Sequence, residues 1–434
     1  MVIHVVQEGE TTGLIAEKYG ISEERLILEN ELKEPNNLVI GEALVILLPE
    51  ITYTIQEGDT LAGIAEKYGV TVLQLLRNNP YLSNREFIYP GEMIVISYQG
   101  DKIVKLSTDG YAYPFIDKEI LRKTLPFLTY LTIYSYQVNA EGEINDIDDK
   151  ELIQIAREYG VAPIMLLTAA AKDQTEEISI THNVLLSEET QNQFFDNVMR
   201  ILNSKGYYGV NISTPYIYPQ DLDRFVDFIT RFSDRLRSQG FMLFVTINPS
   251  LFEVITSTRY IGLNYSRFSQ AVDRVIYIPY ELGNFVGIPT GIMAFDSLKN
   301  YLSYMMEQIP PEKTLIGVPI LGYVWERPYI ACTTRGRTIT YSTALDLARN
   351  VGATILYDEV TKASYFQYIS GKEYIVRFRD ARGIEAHMKL VPEYGFDGIG
   401  IWNIMSYFPQ LWLIANSQYD IITLLQPGSG TPLS

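Results

Sequence analysis

The stretch Gly206-Tyr207-Tyr208-Gly209-Val210-Asn211-Ile212-Ser213-Thr214-Pro215 decides how the larger part of this chain is read. Gly209–Ile212 reads as a short strand set between two helical segments, Glu188–Ser204 before it and Gln220–Ser238 after it. Strands that alternate with helices indicate a parallel α/β sheet. Working outward, strands are expected at Leu128–Tyr134, Ile164–Leu167, Met242–Ile247, Arg274–Ile278, Thr314–Val318 and Gly398–Trp402, with a further helix at Asp149–Tyr159. A first strand near Ile103 completes eight, and a (β/α)8 TIM barrel is the natural closure. The last interval is too long for one helix. Residues from about 326 to 380 carry strands of their own and a helix, Ser342–Val351, so a small α+β insertion is expected there.

The first hundred residues are organised differently, by an internal repeat. Val6-Gln7-Glu8-Gly9-Glu10-Thr11 answers Ile55-Gln56-Glu57-Gly58-Asp59-Thr60, and Ile15-Ala16-Glu17-Lys18-Tyr19-Gly20 answers Ile64-Ala65-Glu66-Lys67-Tyr68-Gly69, both at an offset of 49 positions. Each copy reads as β-α-α-β. A strand runs into a glycine turn, Thr11 or Thr60 opens a helix, and Gly20 or Gly69 suits the left-handed position that ends it. Such small units are expected to be marginal alone.

The Gly-Asp-Thr-Leu turn, the Ile-Ala-x-Lys-Tyr-Gly helix end and Tyr89-Pro90-Gly91-Glu92 resemble LysM modules, over residues 1–49 and 50–98. The second copy fits better; the first has Glu10 and Thr12 where Asp59 and Leu61 stand. The resemblance implies binding of peptidoglycan or another N-acetylglucosamine-containing glycan. It places sugar between the turn after the first strand (Gly58, Asp59, Thr60; Gly9, Glu10, Thr11) and the loop before the last strand (Asn79, Pro80, Tyr81, Leu82). Caps and turns use the same residue types, so a purely structural role for them stays open.

Residues 100–425 resemble family 18 glycoside hydrolases of the LysM-bearing type that degrades spore cortex fragments, with 426–434 left as a flexible tail. The resemblance rests on Tyr130–Tyr136, Gly206–Ile212, Val275–Glu281, Ile316–Tyr323 and Gly398–Trp402. In that family the fourth strand continues into an Asp and, two residues later, a Glu. Alternate strand residues share a face, so the two acids converge in the barrel mouth. The Glu protonates the glycosidic oxygen and the Asp orients the substrate's acetamide, a substrate-assisted route. Here Ser213 stands at the Asp position and Pro215 at the Glu position. Neither can give the proton on which general acid catalysis depends.

A pseudoenzyme is therefore expected, chitinase-like in fold and serving as a lectin or structural unit. The alternatives are an active N-acetylglucosaminidase with displaced acids, for which Glu281 beside Tyr280 is the candidate, and a regulator competing with an active paralogue. Asp221 and Asp223 read as a helix start. Trp402 matches the floor of the family's sugar site, and Tyr134 and Tyr280 join it as expected glycan contacts. The tyrosines at 207, 208, 216 and 218 read equally as a retained groove or as filling of an abandoned one.

Composition narrows the partners. With 35 basic against 52 acidic residues the net charge is −17, which repels nucleic acid. No apolar run is long enough to span a membrane, and no cofactor is called for. Cys332 is the single cysteine and His4, His182 and His387 lack ligand spacing, so neither a disulfide nor a metal is expected. The opening residues lack the pattern of a secretory signal. The bacterial spore envelope (coat, cortex surface or exosporium), loaded from within the mother cell, reconciles this with wall binding, and the many tyrosines would suit self-assembly into a spore layer.

Overall fold

The computed structural model describes residues 1–428 apart from 84, 86, 214–216, 248–264, 279–294, 331–333 and 335. The repeat is structural. In the first module β1 (Val2–Val5) pairs antiparallel with β2 (Ala43–Ile46), and α1 (Thr12–Tyr19) and α2 (Glu23–Asn30) lie between them. In the second, β3 (Pro49–Thr54) pairs with β4 (Met93–Tyr98) around α3 (Leu61–Tyr68) and α4 (Val72–Asn78). The threonine side chains accept from Leu14 N–H and Gly63 N–H, and Gly20 and Gly69 both sit at φ +67°. Each module closes on a few apolar side chains, Ile15, Leu26, Leu44 and Ile46 in one and Ile64, Leu75, Ile94 and Ile96 in the other.

The larger unit is a closed eight-stranded parallel barrel: β5 (Lys105–Ala112), β6 (Tyr130–Val138), β7 (Ala162–Ala169), β8 (Gly209–Ser213), β9 (Met242–Ile247), β10 (Arg274–Tyr277), β11 (Thr314–Gly317) and β17 (Gly398–Ile401), with β17 pairing back onto β5. The first strand lies further along than expected. Ile103 is half exposed and only hands its N–H to Gln418 O, whereas regular pairing begins at Lys105. Helices α5 (Lys118–Thr124), α6 (Lys150–Glu158), α8 (Glu188–Lys205) and α9 (Leu222–Arg237) pack outside, as amphipathic faces require. A helix that the sequence reading did not anticipate, α7 (Gln174–Leu186), precedes α8 and is capped by the Asp173 carboxylate.

From the end of β11 the chain enters a five-stranded antiparallel sheet built from β12 (Gly322–Arg327), β13 (Arg337–Ile339), β14 (Leu356–Asp358), β15 (Ala363–Ser370) and β16 (Lys372–Phe378), in the order β13-β12-β16-β15-β14. One face, with Val324, Phe366, Val376 and Phe378, joins the main core together with Tyr341, Ala344 and Leu345 of the helix Tyr341–Val351. The short strand β18 (Asp420–Ile421) adds to β5.

Both modules are docked on the barrel rather than hung from it. Arg77 donates to Pro126 O (2.6 Å) and Thr423 Oγ1 (3.1 Å), and Tyr159 Oη donates to Ser83 O (2.8 Å). In the first module Ile40 O accepts from Ile355 N–H, Gly41 O from Arg382 and Asn37 O from Arg349. Arg25 and Glu29 of α2 form a buried ion pair (2.7 Å) that Tyr98 of β4 completes, locking module to module.

Candidate functional site

The C-terminal rim of the barrel is where β-strand side chains converge in this architecture. Just below it, three strands contribute a closed polar triangle. Tyr111 Oη lies 2.7 Å from Thr246 Oγ1, Asn211 Nδ2 donates to Tyr111 Oη (3.0 Å), and Thr246 donates to Asn211 Oδ1 (2.9 Å). All three residues are buried. Asn211 is the β8 residue two before Ser213, so its amide is committed inside the barrel, while Ser213 is half-buried at the strand's end.

Above this triangle lies an aromatic floor. The Trp402 ring centroid is 5.2 Å from Tyr111 and 5.1 Å from Tyr134, and Tyr113 lies 4.6 Å from Tyr134. Phe115 stacks on Tyr113 and is almost fully exposed. Such a set offers ring faces on which apolar sugar faces can stack. Sequence reading found Tyr134 and Trp402 but missed Tyr111, Tyr113 and Phe115. The alternation Tyr111-x-Tyr113-x-Phe115 at the end of the first strand was the available signal.

The acids near the rim are otherwise engaged. Asp109, one layer below Tyr111, is fully buried, its two carboxyl oxygens share the single Thr132 Oγ1 hydroxyl (2.8 and 2.9 Å), and it is pushed up to about 7 by burial. Asp221 was expected to act as a helix-start acid. It stands at the start of α9 but makes no cap bond; its buried carboxylate instead holds His182 Nδ1 (2.6 Å) and Arg224 (2.7 Å). His182 thus serves as a packing residue whose ring holds the buried Asp221 carboxylate. Pro215, Tyr216, Tyr280, Glu281 and Cys332 lie outside the described residues. Among the described residues no group of His, Cys, Asp and Glu could hold a metal ion, and no helix is long and apolar enough to cross a membrane.

In the modules, the glycine turns are open: nothing lies within 4 Å of a Cβ built at Gly9 or Gly58. Asp59 accepts from Gln56 N–H (2.7 Å) and Tyr53 Oη (2.7 Å), and these bonds hold its carboxyl below the usual range. Glu10 does the same with Gln7 N–H (2.8 Å) and His4 (2.9 Å). Thr11 and Thr60 are spent on helix caps. Asn79 is buried, and its amide bridges Leu75 O, Val95 O and Val95 N–H. Leu82 lies in the module core, so Pro80 and Tyr81 are the half-buried members of that expected stretch.

This geometry meets its counterpart among known proteins. The model of the glycosyl hydrolases family 18 matches residues 116–406, and that of the LysM domain matches residues 4–47 and 53–97. The chain belongs to glycosyl hydrolase family 18. A cortical fragment-lytic enzyme of Bacillus subtilis is 27% identical over 433 residues, 97% of this chain and 99% of that protein. The crystal structure of the Bacillus cereus spore cortex-lytic enzyme SleL aligns at a TM-score of 0.80 with 26% identity, covering 97% of this chain and 98% of that one. A chitinase structure from Chromobacterium violaceum shares the fold at 20% identity and a TM-score of 0.63, over 72% of this chain and 98% of that one. Within this family 18 barrel, β8 is the strand whose end is expected to carry the catalytic acids, and it ends here on Ser213.

Proposed function

We propose that the chain binds peptidoglycan, or a related N-acetylglucosamine-containing glycan, in the bacterial spore envelope through its LysM modules. Its family 18 barrel holds glycan without cutting it. The observation that carries this reading is the pair of replacements at the end of β8. Ser213 stands where the family orients the acetamide and Pro215 where it donates a proton, while Trp402, Tyr134 and Tyr111 keep an aromatic floor beneath. Losing a general acid removes a factor of about 10²–10⁴. The buried acids at 109 and 221 are tied to Thr132 and to His182 and Arg224, so neither supplies the missing proton at the floor. The end-to-end relatives named for spore cortex lysis support the envelope setting.

A second reading keeps hydrolysis, because those relatives span the whole chain and carry lytic names. It requires another acid, and Glu281 is the candidate. Mass spectrometry of N-acetylglucosamine oligomers and cortex fragments after prolonged incubation separates the two. Unchanged substrate beside a working control enzyme is the expected result; shorter products that vanish in Glu281→Gln would establish the enzyme reading instead.

A further inference from the structure

The insertion sheet has a second face that the core does not use. Alternation along antiparallel strands sends every other residue to one side. The register places Tyr323, Trp325 and Arg327 of β12 opposite Arg377, Ile375 and Glu373 of β16, which in turn oppose Tyr365, Gln367 and Ile369 of β15. On this face a cavity of about 510 Å³ is lined by Arg327, Tyr329, Tyr357, Tyr365, Gln367 and Arg377, together with Asp358 and Glu359 at its rim. That volume falls in the range of small-ligand sites.

Two features of the cavity point to a ligand with a negative charge. Arg327 makes no ion pair among the described residues, and its guanidinium rests on the Tyr329 ring at 5.6 Å. Arg377 rests on the Tyr365 ring at the same distance, and its Nε is buried with no hydrogen-bond partner. Buried donors are nearly always paired, so this orphan leaves the Arg377 guanidinium, at the cavity wall, short of an acceptor. The rim acids are committed. Glu359 pairs with Lys362 (2.6 Å), and Asp358 accepts from Val360 N–H (3.0 Å) and lies 3.4 Å from Arg377. Two guanidinium groups on tyrosine faces, with an amide at Gln367, suit a carboxylate attached to a ring that can stack.

We propose that this face of the insertion is a binding subsite for a carboxylate-bearing saccharide, the muramyl half of a peptidoglycan fragment with its lactyl group. Arg327 and Arg377 grip the carboxylate, and Tyr329 and Tyr365 flank the sugar. The proposal rests on the reading of the chain as a peptidoglycan binder. It adds that the barrel unit distinguishes peptidoglycan from chitin, which lacks that carboxylate.

The test is calorimetric titration of the full chain with three probes: a GlcNAc–MurNAc tetrasaccharide, the same sugar with its carboxylates reduced to alcohols, and chitotetraose. The carboxylated sugar is expected to bind about 10-fold more tightly than its reduced form, the scale of a charge-assisted hydrogen bond. Arg327→Gln removes no ion pair of the fold and should abolish most of that preference while leaving chitotetraose binding unchanged; Arg377→Gln should act in the same direction. Equal binding of the two muramyl probes by the unaltered protein overturns the proposal, as does a preference that survives in both variants. Absence of binding to all three probes would overturn the glycan-binding reading as well, so the two failures are distinguishable.

Discussion

Asp109 shows how far a single side chain can be from the role its position suggests. It lies on the first barrel strand, beneath the aromatic floor, where an acid would attract a catalytic reading. Yet it is fully buried against Thr132 and its carboxyl is pushed up to about 7. A folded state that keeps a proton its unfolded chain gives up near pH 4 gains stability below that pH and loses it as pH rises towards 7. Asp109→Asn should remove this slope. The variant should unfold at higher denaturant concentration than the parent at pH 8, by on the order of 2–4 kcal/mol, with the gap closing by pH 4. Parallel curves at both pH values would show that the carboxyl stays ionised in the fold. The neighbouring triangle of Tyr111, Asn211 and Thr246 explains why Asn211 cannot stand in for a lost acid: both ends of its amide are already bonded.

At the scale of elements, the two modules share one sequence plan and differ in what the barrel does to them. Gly41 and Gly91 occupy equivalent turns, at φ +85° and +91°. A Cβ on Gly41 would lie 1.9 Å from Ile355 O, whereas one on Gly91 would meet nothing within 4 Å. Both Gly→Ala changes should therefore pay the left-handed backbone cost of about 1–2 kcal/mol. Only Gly41→Ala should also part the first module from the insertion. Hydrogen exchange reads this directly, since Ile355 N–H donates to Ile40 O: its protection should fall in Gly41→Ala and persist in Gly91→Ala. The caps, the glycine ends and the apolar strands were legible in the sequence because each is a local pattern of a few residues. The docking was not, because it joins Gly41 to Arg382 through a backbone carbonyl and Arg77 to Thr423 through a hydroxyl, both across more than 300 positions, and such contacts leave no periodicity behind. The same holds for Asn79. An asparagine after a helix reads as a loop residue, and only the fold reveals that it stitches α4 to β4. The aromatic floor was half legible, since Trp402 and Tyr134 carry a family pattern and Tyr113 and Phe115 do not.

For the molecule as a whole, the consequence of docking is that the glycine turns at Gly9 and Gly58, the glycan contacts we propose, are held at fixed places relative to the barrel mouth. Small modules with cores of a few side chains gain stability from the surface they share with a large one. The shared surface is partly polar, and some of its polar members are buried: Arg77 is 6% exposed, and burial lowers its guanidinium to about 10. A buried cation of this kind persists only while its carbonyl and hydroxyl acceptors stay in place, so the barrel loop at Pro126 and the segment at Thr423 must hold when the module holds. Calorimetry of the full chain is accordingly expected to show the modules and barrel melting in one transition. Arg77→Ala leaves Pro126 O and Thr423 Oγ1 without their donor and opens a void between module and barrel. Hydrogen bonds to charged groups contribute about 1.5–3 kcal/mol, so the variant should melt several degrees lower, with the second module unfolding ahead of the barrel. Two separate transitions in the unaltered protein would mean that the modules swing independently, and the fixed geometry between the glycine turns of the modules and the barrel mouth would have to be abandoned.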